Sequence, residues 1–232
     1  MHAPDGFINV PVSAAAGAVA VAGVALALRG ARRELDDRTA PLAGLTAAFV
    51  FAAQMLNFPV AGGTSGHLLG GTLAAILVGP YAGVLCVSVV LIVQALLFAD
   101  GGLTALGVNI VTMSLTTVVV GYGLFRLLLR VLPKTRPSAT GAAFTAAVVS
   151  VPASAVVFTL LYAVGGTADV SIGKVAGAMV GVHVLIGIGE ALITALTVSS
   201  VLAVRPDLVY GARGLVKAPA LRTTAPEPEA AR

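Results

Sequence analysis

Two short stretches hold the residue types best suited to chemistry: MHAPDGF at the start of the chain and GGTSGHLLGG around His67. A histidine directly after Met1 sets three nitrogens in a chelating row: the terminal amine, the backbone nitrogen of His2 and Nδ1 of its imidazole. These can close adjoining five- and six-membered rings around one metal. Deprotonating a backbone amide for ligation takes a strongly binding late transition metal, and a planar nitrogen set points to Ni(II) or Cu(II). One corner of that plane stays open. His67 is the candidate to fill it, from a loop in which Gly62, Gly63 and Gly66 let backbone approach closely. Thr64 and Ser65 are candidates for the hydrogen bonds that orient its ring, a support ligating histidines usually have. A lone histidine is more often a packed or capped side chain, but two at matched positions outweigh that reading. The first six residues carry no Lys or Arg, and no small-residue cleavage site closes the apolar run that follows. The mature chain is therefore expected to begin at Met1, with its amine free.

Positioning such a site falls to an unusually apolar chain. Of 232 residues, 58% are hydrophobic and 10% charged, with a mean hydropathy of +1.00. That excludes an ordinary soluble domain and indicates an all-α integral membrane protein, since the apolar runs are rich in Ala, Gly, Leu and Val and lack strict alternation. The single cysteine, Cys86, lies inside an apolar run, so it reads as packing, with no intramolecular disulfide and no CxxC site. Apolar segments run from Val10 to Leu28, Leu42 to Leu56, Leu68 to Phe98, Leu103 to Leu129, Thr140 to Val164 and Ile172 to Val204. As one helix the Leu68 to Phe98 run would be about 46 Å long, against a hydrocarbon core of roughly 30 Å. Gly79-Pro80 near its middle divides it. Seven spans result, with the N-terminus outside and the C-terminus cytoplasmic. They place every basic residue except Lys174 on the inner side, as positive-inside topology requires. Asp5, Asp100 and Asp169 come out on the external face. The formal charge of +4 therefore reports topology, not nucleic-acid binding. Residues 1–204 form the membrane domain. Residues 205–232, ending in TAPEPEAAR, read as a disordered cytoplasmic tail.

Beyond the two histidine stretches, GPYAGVLCVSVVLIVQALLFADGGLTALGVNI and HVLIGIGEALIT complete a resemblance covering nearly everything from Met1 to about Val204. The chain resembles the CbiM/NikM family, the substrate-capture membrane subunits of energy-coupling-factor transporters for nickel and cobalt. That resemblance implies metal ligation by Met1, His2 and His67, with Ni(II) or Co(II) as the transported substrate. It also implies partners: a membrane coupling subunit, two copies of a cytosolic ATPase and, often, a small accessory membrane protein. The implied location is a prokaryotic cell membrane, and the implied role is non-enzymatic. Ala3 stands where the family often has a bulkier aliphatic residue; it supplies no ligand atom.

Several weaker features complete the reading. His183, Gly187 and Glu190 share one face of the last span, where an intramembrane ionisable residue defaults to a functional hypothesis. Their depth below the outer site favours a structural role for His183 and Glu190. Gln94 and Asn109 flank the external ADGG turn and could support the metal, while Gln54 and Asn57 read as interhelical hydrogen-bond partners. Gly173, Gly177 and Gly181, like Ala14, Ala18 and Ala22, form small-residue ridges, expected to pack within the bundle or to dock a partner subunit. No GxxxxGK[ST], HExxH or GxSxG sequence occurs, so any energy for transport comes from other chains. The alternative, a membrane metalloenzyme using the same histidines, needs an open coordination position that four nitrogens leave no equatorial room for.

Overall fold

The computed structural model describes residues 1–36, 39–59 and 65–214. Among them are seven helices: α1 (Val10–Ala31), α2 (Ala40–Gln54), α3 (Gly71–Val78), α4 (Pro80–Leu97), α5 (Leu106–Val131), α6 (Arg136–Gly165) and α7 (Ile172–Val204). Two-residue strands β1 (Phe58–Pro59) and β2 (Ser65–Gly66) pair antiparallel, Phe58 opposite Gly66 and Pro59 opposite Ser65. Five helices, α1 and α4 to α7, are long and apolar enough to cross a membrane; α2 is apolar but shorter.

Local chemistry sets the boundaries. The Asn9 side chain accepts from Val12 N at 3.0 Å and opens α1, whose first turn holds Pro11 where no internal donor is needed. Thr135 opens α6 in the same way, accepting from Ser138 N. Between α3 and α4 the break is Gly79 alone, at φ +104°, a conformation closed to residues with a Cβ, followed by Pro80. The two helices fold back on one another so tightly that a Cβ on Gly83 would come within 2.8 Å of Ala75 N. Within α5, residues Ile110–Thr116 take the wider π form, and hydroxyls of Thr116, Thr117 and Ser154 bond carbonyls of that stretch.

Contacts sort the helix ends into two groups. At one end, Asn9 N donates to Gly165 O and Gly102 N to Ala3 O, gathering the start of α1, the α4–α5 turn and the end of α6. At the other, Glu34 reaches Ala82 N, and Gly211 lies against Phe125 and Ile76 O, gathering the end of α1, the α3–α4 break and the end of α5. Arg29, Arg32, Arg33, Arg126, Arg130 and Arg213 belong to this second end by sequence position; Arg38, Lys217, Arg222 and Arg232 lie outside the described residues.

Four expectations need correction. The piece expected from Leu68 to Gly79 is helical only over eight buried residues, about 12 Å at 1.5 Å per residue, with His67–Gly70 irregular before it. Irregular backbone is tolerated within a bundle only where protein meets its polar groups, and here Gln54 of α2 and Glu190 of α7 bond Leu69 and Gly70. The ridge of Ala14, Ala18 and Ala22 faces outward; α1 packs instead through Ala16, Ala20, Ala27 and Ala31, a neighbouring stripe of equally small residues. Gly173, Gly177 and Gly181 have nothing within 4 Å of their would-be Cβ atoms, so they do not pack within this bundle. Finally, residues 205–214 are not a loose tail: Pro206–Leu208 and Tyr210–Ala212 form 3-10 turns, with Val209 and Ala212 buried. Residues 215–232 lie outside the described residues.

Candidate metal centre

The first three residues, with Phe7 and Ile8, plug the end of the bundle, while residues 4–6 loop over it exposed. Met1 and Ala3 are completely buried, His2 is 4% exposed, and the Met1 sulfur lies 3.9 Å from Ser154 Oγ. Asn109 clamps the backbone of Ala3 from both sides, accepting from its N–H at 2.8 Å and donating to its C=O at 3.3 Å. Gly102 N adds a bond to the same carbonyl at 2.9 Å. One step further, Asp5 Oδ1 accepts from the backbone and hydroxyl of Thr104 at 2.7 and 2.6 Å. The chain then turns at Gly6 (φ +74°), and the Phe7 ring stacks among Phe158 and Tyr162. With both backbone groups of Ala3 bonded and Met1 buried, this terminus is held in place rather than frayed.

Burial dictates its protonation. Desolvation, opposed by the nearby Asp100 carboxylate, lowers the Met1 amine from 8.0 to about 4. Desolvation, helped by the terminal charge, lowers His2 to about 3. Both nitrogens are therefore neutral bases at physiological pH, the form a metal requires. The His2 and His67 rings lie 4.7 Å apart between centroids, tilted by 31°. His67 Nδ1 sits 2.7 Å from Leu68 O, which makes that nitrogen the donor and leaves Nε2 a free lone pair; Nε2 is buried with no hydrogen-bond partner. His2 Nε2 is likewise buried and unpartnered, 3.7 Å from Asp100 Oδ2, beyond hydrogen-bonding range. On the other edge of the ring, a Cβ added to Gly101 (φ +95°) would come within 2.8 Å of His2 Nδ1.

The loop bearing His67 is fastened two residues on. Glu190 of α7 accepts from Leu69 N at 2.6 Å and Gly70 N at 3.0 Å, capping the start of α3, and Gln54 Nε2 of α2 donates to Leu69 O at 2.8 Å. A carboxylate at a helix N-terminus meets both orphan donors and the positive end of the dipole.

Of the sequence candidates, the fold thus brings Met1, His2, His67, Asn109 and Asp100 together. Asn109 supports the plug, and Glu190 positions the His67 loop. Gln94 is wholly buried with both amide atoms unpartnered; no bond joins it to the two histidines. Thr64 lies outside the described residues. The His67 ring is oriented by Leu68 O, a partner the sequence did not suggest. His183 Nδ1 lies 2.7 Å from Met179 O, while its buried Nε2 has no partner and the ring is within electrostatic reach of the Met1 amine and of His67. Cys86 is buried, its thiol on Ala43 O. Met1 as a side-chain anchor, Ser154 beneath it, and Gly101 and Gly102 as space for the plug were missed. The positive φ of Gly101 has a faint signal in the ADGG turn; Ser154 has none. Among the described residues no group of three or more His, Cys, Asp or Glu side chains is placed to hold a metal.

A helical, multi-pass membrane protein with a buried terminal amine beside two buried histidines fits the class of transition-metal carriers. The chain is a member of the CbiM family, described as the cobalt uptake substrate-specific transmembrane region, whose model matches residues 2–208. It is 42% identical over 210 residues to a Haloquadratum walsbyi protein provisionally named as a metal transport protein, covering 90% of this chain and 94% of that one. The cobalt transport protein CbiM of Sorangium cellulosum is 35% identical over 216 residues, again 90% and 94% of the two chains. The fold matches the crystal structure of a truncated transition metal transporter with a TM-score of 0.77 and 32% identity, covering 88% of this chain and 99% of that one.

Proposed function

We propose that this chain is the metal-capture subunit of an ATP-driven energy-coupling-factor transporter, taking Ni(II) or Co(II) from outside the cell and releasing it to the cytoplasm. The observation that carries the reading is the Met1 amine: fully buried, neutral, and set beside His2 and His67, whose facing rings keep unpartnered nitrogens. The ligands are the amine, the deprotonated amide and Nδ1 of His2, and Nε2 of His67. Four nitrogens in a plane favour Ni(II) over Co(II), and cellular availability decides against Cu(II). The site end faces outside and the arginine-bearing end inside, consistent with the concentration of basic residues there. A relative with a fused chain supports a separate partner: the match to the putative fused nickel transport protein NikMN of Archaeoglobus fulgidus spans 90% of this chain but 68% of that one, leaving a further stretch there. A coupling subunit, the ATPases that drive reorientation and, in some systems, a small accessory membrane protein complete the machine.

The test is the magnetic state of bound nickel. Ni(II) in the purified chain is expected to be diamagnetic, as square-planar d8 nickel is, with the His2 and His67 ring resonances sharp and shifted. Paramagnetic, octahedral nickel would overturn the ligand set. His2→Ala should abolish tight binding, whereas His67→Ala should leave a weaker three-nitrogen site.

A further inference from the structure

At the end of the bundle opposite the metal centre lies a cavity of about 430 Å³ lined by Arg126, Leu129, Arg130, Lys134, Arg213 and two glycines. Four of its walls are cationic, and among the described residues none is acidic. Three of the cations follow one another at intervals of four along the end of α5 and just beyond it. A basic final turn is explained by the helix dipole and by membrane topology. Neither explains Arg213, which comes from the separate segment after α7 and faces the same cavity, its guanidinium 4.6 Å over the Tyr210 ring. Among the described residues Glu34 lies within electrostatic reach of Arg213, but it is buried, accepts from Ala82 N, and offers one carboxylate against four cations. Four like charges around one cavity repel unless an anion sits among them.

We infer that the cavity binds the headgroup phosphate of an anionic phospholipid. The choice of a lipid over a free anion rests on the neighbouring face of α5, one residue on from Arg126 and Arg130. There Leu127 and Val131 are 54% and 76% exposed, an apolar flank along which acyl chains lie while the phosphate enters the basic cavity. Recognition follows from charge and from guanidinium hydrogen bonding to phosphate oxygens.

Native mass spectrometry of the full chain, released from detergent after incubation with equal phosphatidylglycerol and phosphatidylcholine, tests this. The chain should retain phosphatidylglycerol selectively. The triple variant R126Q/R130Q/R213Q should weaken that binding by about 100-fold, from three lost charges. A control triple, R29Q/R32Q/R33Q, removes as many charges from the same end outside the cavity and should leave binding within a few-fold. Equal retention of the two lipids, or equal loss in both triples, would overturn the inference. Complete displacement of the lipid by millimolar inorganic phosphate would also overturn it, assigning the cavity to a free anion. Ni(II) binding at the far end reports whether each variant is folded. Should the cavity triple lose it, Arg213→Gln alone decides, with a loss of about five-fold expected and no loss contradicting the inference.

Discussion

At the residue scale, the decisive fact is that two bases are buried without their protons. The Met1 amine and His2 both have folded-state values far below their ordinary ones, about 4 against 8.0 and about 3 against 6.5. For bases depressed in this way the unfolded or unseated form binds more protons, so seating of the plug is fully favourable above pH 8. It weakens as pH falls, first through the amine between 8 and 4, then through His2 between 6.5 and 3. Hydrogen exchange at the Ala3 amide should accordingly rise, after correction for intrinsic rates, as pH drops from 8 to 5. A protection factor unchanged over that range would contradict the burial of a neutral amine. Metal binding at pH 7 should release about one proton, from the His2 amide, whereas the free peptide Met-His-Ala should release about two because its amine is still protonated. Calorimetry in buffers of different ionisation enthalpy reads that difference. Gly101→Ala, which sets a Cβ 2.8 Å from His2 Nδ1 at a positive φ, should lower Ni(II) affinity at least tenfold in the same calorimeter.

The element scale explains why a loop can hold a ligand in place inside a bundle. Leu69 is gripped from both sides, its N–H by Glu190 and its C=O by Gln54, so the backbone two residues from His67 is fixed to α7 and α2. Glu190→Ala leaves two buried N–H groups unmet and should cost about 3 kcal/mol of local stability. Ni(II) affinity should fall toward that of His67→Ala, while Glu190→Gln, which can still accept one bond, should fall between. Calorimetry of the three variants gives the order. Most of this architecture was legible in advance. Apolar runs interrupted by charge located the helices, and Gly79-Pro80 divided the overlong run where the chain reverses. Less legible was how each helix faces. Small residues follow each other so closely in α1 that Ala14-Ala18-Ala22 and Ala16-Ala20 are equivalent stripes in sequence, and only partner helices choose between them. The shortness of α3 was hidden for a similar reason. Leu68 and Leu69 continue the apolar pattern, but the Leu68 carbonyl is taken by His67 and the Leu69 backbone by Glu190 and Gln54 rather than by a helical ladder. The two histidines were legible because imidazole is rare in so apolar a chain. Asn109 as a clamp on Ala3, a bond across 106 positions, was legible only as a polar group near the right turn.

Across the whole molecule, the two ends have opposite characters. One holds the plug, the histidines and Asp100; the other gathers arginines from three separate stretches of chain. The proposed direction of uptake requires the histidine end to be external. In a Cys86→Ser background, Arg32→Cys should react only with reagents that reach the cytoplasm, and Leu103→Cys, exposed beside the plug, only with those applied outside. The reverse pattern would invert the proposed direction of uptake.

The central claim is that the chain's own amino terminus is a metal ligand, and lengthening the chain by one residue tests it most directly. An added alanine before Met1, or acetylation of its amine, changes no side chain in the native sequence, yet removes the terminal nitrogen from the chelate. Calorimetric titration of Ni(II) into the native and the extended chain should show high-affinity binding in the first and its loss in the second. Equal affinity in the two would contradict the account and leave His67 to find its partners among His183, Asn109 and Asp100.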